Sequence, residues 1–339
     1  MRLGWGWFWL LAAVAIIAAL KTPLAHSELG ATRWIKLGPV SFQAAEPIKA
    51  AIIIFFAYYV SYWGLNRWYN QLLACLLAIA LLGFLFFFSN NLSTVIVLFC
   101  ICAVIILSSV KKPDLYWYFL LGLALIIIAA IFVTVYLLMH QGAENFRFVR
   151  IRAWLHPEEY AADEGLQAMQ ARYAIGAGGF WGKGLGQSLI KFKLSYSYND
   201  FILAIICEEL GVFGVIVMMT LFGYLLYRIY KIAQNAWDIE GKVLAIGVFT
   251  QIALQLLINV MVVTSVIPTT GVTLPFFSAG GTSVVFLLAE LGMVLNVDKY
   301  AKERRFFEEA ERHVAQMEQR GGIGAAGWRR RLDSARTRR

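Results

Sequence analysis

Between Ala171 and Gly211 the chain gathers the residue types that can do chemistry. The stretch ARYAIGAGGFWGKGLGQSLIKFKLSYSYNDFILAIICEELG holds seven glycines, three lysines and several aromatic residues, and it runs into an apolar segment that opens on Asp200. Glycine lets backbone approach a ligand closely and visit positive φ, which an aliphatic helix rarely needs. A cationic, glycine-rich loop ending on a helix-starting carboxylate therefore reads as a site, with Asp200 as the group able to take a proton. The same position also suits a helix cap, a role that Asn199 or Asp200 fills well. Two turns on, Glu208 and Glu209 lie side by side in apolar sequence, either as functional acids or as partners of a neighbouring element. Glu46 and Lys49, three apart, can pair on one helix face that must look into protein or a wet cavity.

Composition sets the elements that must position these groups. Hydrophobic residues make up 60% of the 339 and charged ones only 15%, which marks an integral membrane protein. Eight apolar runs approach the length of a span: Leu3–Leu20, Pro47–Trp63, Leu72–Phe88, Leu92–Val110, Leu115–Met139, Phe201–Tyr227, Val243–Val263 and Thr282–Val297. They are continuous blocks rather than the short alternating segments of a lipid-facing barrel, so an all-α bundle of about eight transmembrane helices is expected. The first run, behind Arg2, is too long for a typical signal-peptide core and is read as a retained helix. Cys75, Cys100, Cys102 and Cys207 sit inside apolar runs as small buried hydrophobes, and the four histidines show no metal-ligand spacing, so no metal site is expected.

Between the runs, Lys21–Glu46 reads as a polar connection with Arg33, Trp34 and Lys36 at a membrane boundary. Residues 140–199 read as one large extracellular loop, and SVIPTTGVTLPFFSAGGTS as a re-entrant or interfacial loop closing over the site. From Lys299 to Arg339 there are 12 Lys+Arg against 6 Asp+Glu. This is expected to be a basic cytoplasmic tail, disordered and drawn to anionic lipid, with no need of nucleic acid. The membrane domain then covers residues 1–298. Cytoplasmic placement of the tail and of both termini puts Arg67, Lys111, Lys112, Arg228, Lys231 and Lys242 inside. Cations left on the other face, in Lys21–Glu46 and the long loop, suit an anionic, phosphate-bearing substrate.

Four segments, GATRWIKLGPVSFQAAEPIK, AIGAGGFWGKGLGQS, NDFILAIICEELG and PTTGVTLPFFSAGGTS, in this order and at these separations, resemble the SEDS family (shape, elongation, division and sporulation) from about Gly30 to Val297. WGKGLGQS is nearest the FtsW and sporulation branch. The resemblance implies a peptidoglycan glycosyltransferase that polymerises lipid II at the outer face of the bacterial cytoplasmic membrane, beside a class B penicillin-binding protein and the divisome or elongation machinery. It carries the family's essential acid onto Asp200, the RWI tryptophan onto Trp34 and the Glu–Lys pair onto Glu46 and Lys49. Arg33, Arg147, Arg150, Arg152 and Lys183 become candidates for the pyrophosphate, with Ser278 and Gly280 in the late loop also expected at the substrate. No cofactor is implied with certainty; a divalent cation, Mg or Mn, is the alternative source of countercharge. Departures are present: Tyr198-Asn199 replaces the family's His-Thr, and Gln43-Ala44-Ala45-Glu46 its QPSE. The family's roughly ten spans further imply that its first two have no counterpart here. A lipid flippase and a non-catalytic scaffold for the transpeptidase are the competing expectations.

Overall fold

A computed structural model describes residues 2–23, 25–28, 31–37, 40–110, 146–160, 164–188, 201–278, 281–319 and 327–329. Its elements in chain order are α1 (Arg2–Ala19), β1 (Ala25–Glu28), β2 (Ala31–Leu37), β3 (Val40–Gln43), α2 (Ala45–Trp63), α3 (Trp68–Ser89), α4 (Leu92–Ser109), α5 (Phe146–Leu155), α6 (Glu164–Gly178), α7 (Ile202–Asn235), α8 (Ile239–Val263) and α9 (Gly281–Gln319). Five of these, α3, α4, α7, α8 and α9, are long and apolar enough to cross a membrane, and α1 contributes the shorter apolar helix Trp5–Ala19. The expected run Leu115–Met139 lies outside the described residues.

Turn chemistry in the sequence sets where the helices stop. Gly64, at φ 65°, closes α2 by donating its N–H to Val60 O, and Asn90, at φ 52°, closes α3 onto Phe86 O. Asn91 then caps α4 through Thr94 N, and Asp238 caps α8 through Gly241 N at 3.0 Å. Side-chain amides finish the α2–α3 turn. Asn70 Nδ2 donates to Trp63 O (2.8 Å) and Gly64 O (3.1 Å), and Gln71 Nε2 to Leu65 O (2.6 Å), so carbonyls freed by the end of α2 stay bonded.

α8 is the hub, packing against α7, α2, α4 and α9. Lipid is as apolar as leucine, so close van der Waals fit and polar ties hold such helices together rather than escape from water. The fit is close enough that a Cβ on Gly247 would stand 2.7 Å from Ile53 Cγ2. Ile53, Phe56, Ile105, Val248 and Ile252 fill the seam between α2, α4 and α8, fully buried.

Three findings change the expected layout. First, the connection after α1 folds into an antiparallel sheet in the order β1-β2-β3, with Trp34 opposite Gln43 and Ile35 opposite Phe42. Its β-branched and aromatic residues, around the Gly38-Pro39 turn signal, favour strands once the chain is clear of lipid. Second, the long segment expected as a loop contains α5 and α6. Third, the last helix does not stop at Val297: it runs on to Gln319, so the disorder expected from Lys299 does not hold over residues 299–319. Strong helix formers continue through that stretch, with i,i+4 pairs Asp298–Lys302 (2.6 Å) and Glu308–Arg312 (3.3 Å).

Candidate active site

The glycine-rich loop meets α7 where that helix is broken. Gly211 sits at φ 65°, ψ −169°, inside an otherwise regular 34-residue helix. Such a break strands carbonyls on one side and N–H groups on the other. All four are taken up by the loop: Lys183 N and Gly184 N donate to Glu208 O and Glu209 O (both 2.9 Å), while Val212 N and Phe213 N donate to Gly179 O (3.0 Å) and Phe180 O (3.1 Å). The backbones are in contact, since a Cβ on Gly182 would lie 2.2 Å from Glu209 O and one on Gly211 2.4 Å from Gly182 N. Only glycine satisfies both demands there.

Glu208 fastens the junction. Its carboxylate, with no solvent exposure, receives Lys183 Nζ on Oε1 (2.7 Å) and Ser188 Oγ on Oε2 (2.5 Å). Of the two readings of Glu208, the structure supports the tie to a neighbouring element. Lys183, expected on a phosphate, is engaged with Glu208 through a side chain that is still 32% exposed.

A second polar group lies in the first turn of α2. Lys49 Nζ donates to Glu46 Oε1 at 2.8 Å with both side chains buried, as their spacing predicts. The pair lines a narrow cleft with Gln43 from β3, Thr94 from α4, Gln255 from α8 and Thr273 from the segment after α8. Glu46 Oε2 and Gln255 Oε1 are buried without a hydrogen-bond partner, so the cleft holds acceptor capacity that the protein leaves unused. Half-buried Trp34 pairs across the sheet with Gln43, which places it one residue pair from the cleft.

The other expected residues fall into three groups. Ser278 is buried and its Oγ accepts from Leu274 N at 2.8 Å, which makes it a staple of the late turn. Arg150 and Arg152 are half-buried on α5, which docks on the turn after α8 where Trp154 Nε1 donates to Ser265 O (2.8 Å) and Arg172 Nε of α6 to Ser265 Oγ (2.9 Å). Arg33 and Arg147 lie on β2 and α5 with side chains outside the described residues; Asp200 and Gly280 are outside them altogether. Phe201, next to Asp200, is fully buried at the start of α7. Because α7 and α8 form an antiparallel hairpin, that start lies at the end of the bundle where α8 finishes and the cleft opens. Among the described residues no three His, Cys, Asp or Glu side chains group as a metal site.

Sequence reasoning missed Gln251, Gln255 and Asn259. Their spacing of four in an apolar helix marks one polar stripe, and Asn259 Nδ2 donates to Val272 O (3.0 Å), holding the cleft's late wall.

These features define a polytopic α-helical membrane protein with a buried polar cleft at its sheet-bearing end. Comparison with known proteins takes the assignment further. The family model FtsW/RodA/SpoVE, described as "cell cycle protein", matches residues 3–303. The chain belongs to this family. It is 32% identical over 293 residues to the probable peptidoglycan glycosyltransferase FtsW of Trichlorobacter lovleyi, covering 85% of this chain and 74% of that one. Against stage V sporulation protein E of Bacillus subtilis identity reaches 45% over 158 residues, 46% of this chain and 43% of that protein. Among solved structures, a chain from work on the coordination of polymerization and crosslinking by a peptidoglycan synthase complex aligns with TM-score 0.70 at 24% identity, covering 88% of this chain and 82% of that one. The rod shape determining protein RodA of Thermus thermophilus aligns with TM-score 0.60 at 23% identity, covering 87% and 78%. At these identities the two structures speak for the fold.

Proposed function

We propose that this chain is a peptidoglycan glycosyltransferase that polymerises lipid II into glycan strands, in cell division or sporulation, with a class B penicillin-binding protein as its crosslinking partner. The supporting observation is a conjunction. In a family whose similar members are named peptidoglycan glycosyltransferases, the buried Glu46–Lys49 cleft opens at the end of the bundle where α7 begins, two residues after Asp200. In this reading that end faces the cell exterior, both termini are cytoplasmic, and the bilayer is the bacterial inner membrane.

Asp200 acts as general base. It takes the proton from the 4-hydroxyl of the acceptor sugar as that oxygen bonds to the donor's anomeric carbon; the carbon–oxygen bond to the lipid pyrophosphate breaks and the pyrophosphate leaves with the electron pair. One displacement at an α-linked donor yields a β-linkage. The negative charge that develops on the leaving group needs fixed cations, for which Lys49 in the cleft and Arg150 and Arg152 on α5 are suited, with Arg33 and Arg147 on neighbouring elements. Lys183 is omitted because it is tied to Glu208 and does not line the Glu46–Lys49 cleft. Trp34 and Gly280 complete the substrate contacts.

The test is chain elongation from purified lipid II in detergent, where there is no bilayer to flip across. Glycan strands made by the wild type and absent with Asp200→Asn support the enzyme. A wild type that yields none, even with its transpeptidase, leaves a scaffold or a transporter.

A further inference from the structure

Glu290 lies in the apolar half of α9, 1% exposed, and the chemistry proposed above does not use it. Its Oε2 accepts a hydrogen bond of 2.9 Å from Gln251 Nε2 on α8. The remaining oxygens of this bonded pair, Glu290 Oε1 and Gln251 Oε1, are both buried and both lack a partner. With Glu290 ionised both are acceptors with nothing to accept. A carboxylate at membrane depth whose one bond is to a neutral amide is also among the most costly groups a bundle can hold.

Nearby charge relieves it only in part. Among the described residues the charged groups that reach Glu290 are Lys49 and Glu46 on α2, and none does so from α7, α8 or β3, which also pack on α9. Lys49 is already balanced by Glu46 at 2.8 Å. Ionised Glu290 would therefore leave the buried trio one negative charge in surplus.

We infer that Glu290 carries a proton on Oε1 and donates it to Gln251 Oε1, closing a cyclic acid–amide pair that ties α9 to α8 beside Lys49. A single proton satisfies both stranded oxygens and removes the surplus charge. A hard metal ion would need several more oxygen donors than this pair supplies. Resting on the glycosyltransferase reading, the pair makes Glu290 a positioning residue for Lys49. While Glu290 is neutral, Lys49 has one carboxylate partner and faces the cleft. When the proton leaves, a second carboxylate draws the ammonium away from the substrate's phosphates. The competent form is the protonated one, so activity is lost as pH rises.

Two measurements on the full chain in lipid nanodiscs decide this. Infrared spectra in H2O and D2O are expected to show the carbonyl band of a protonated carboxylic acid at neutral pH in the wild type and not in Glu290→Gln. Absence of that band from the wild type overturns the assignment, and so does a sodium requirement for folding that Glu290→Gln lacks. For lipid II polymerisation, one pH unit above the wild type's alkaline midpoint, Glu290→Gln is expected to be about tenfold more active than the wild type, while Glu290→Leu is impaired at every pH. Superimposable profiles for wild type and Glu290→Gln overturn the positioning role. A chain that does not polymerise at all removes the glycosyltransferase reading, yet the infrared result still decides the proton.

Discussion

Lys183 and Glu208, 25 residues apart in sequence, meet through a 2.7 Å ion pair that locks the glycine-rich loop against the broken turn of α7. The four backbone hydrogen bonds around the break make the contact continuous, so loop and helix start form one rigid unit. Residues 201–203 thus inherit their position from glycines some twenty residues upstream. That accounts for a run of small residues better than ligand contact does.

Replacing Lys183 by Met should destabilise the protein by about 3 kcal/mol, because Glu208 loses the Lys183 ammonium in a dry site; the figure is at the low end for a broken buried pair since Lys183 is partly solvated. A thermal melt in detergent checks it. If instead the melt is unchanged and only KM for lipid II rises, Lys183 belongs on the substrate.

Gly211→Ala should be worse than its size suggests. Positive φ costs roughly 1–2 kcal/mol for any residue with a Cβ, and here the added methyl also meets Gly182 N and Phe180 O at 2.4 Å. Faster hydrogen exchange across residues 178–188 is the expected signature. Alanine at Gly223, where a Cβ meets nothing within 4 Å, serves as control.

For the Glu46–Lys49 pair, a double-mutant cycle separates stability from function. Glu46→Gln or Lys49→Gln alone leaves one buried charge unpaired and should cost about 3–5 kcal/mol. The double variant, neutral at both positions, should recover most of that loss while polymerisation stays far below wild type. Recovered activity in the double variant would show the pair to be purely structural.

Asn259→Leu removes the 3.0 Å bond to Val272 O, which holds the late wall of the cleft. A cost of about 1–2 kcal/mol is expected from the lost hydrogen bond, with increased proteolysis between residues 265 and 275. A loop as protected as in the wild type would place its anchoring elsewhere.

Helices were the most legible part of the sequence, because unbroken apolar blocks leave the backbone no other way to satisfy itself in lipid. The end of α3 and the start of α4 fall at the Ser89-Asn90-Asn91 turn, where the polar residues placed them. The Glu46–Lys49 pair was equally plain from its spacing of three. Strands β1–β3 were not, since a short polar segment between spans carries no period long enough to outweigh a loop. Nor was the partner of Glu208, which depends on a kink that one glycine among seven creates. The extension of α9 was hidden by a change in composition at Val297, where the residues turn polar but remain helix formers. Asp200, the residue on which most of the sequence reading rests, lies outside the described residues.

Polymerisation of purified lipid II by the wild type and by Asp200→Asn, at equal thermal stability, bears most directly on the enzyme proposed here. Long glycan strands from the wild type and none from Asp200→Asn are the predicted result. Strands of equal yield from both would contradict it.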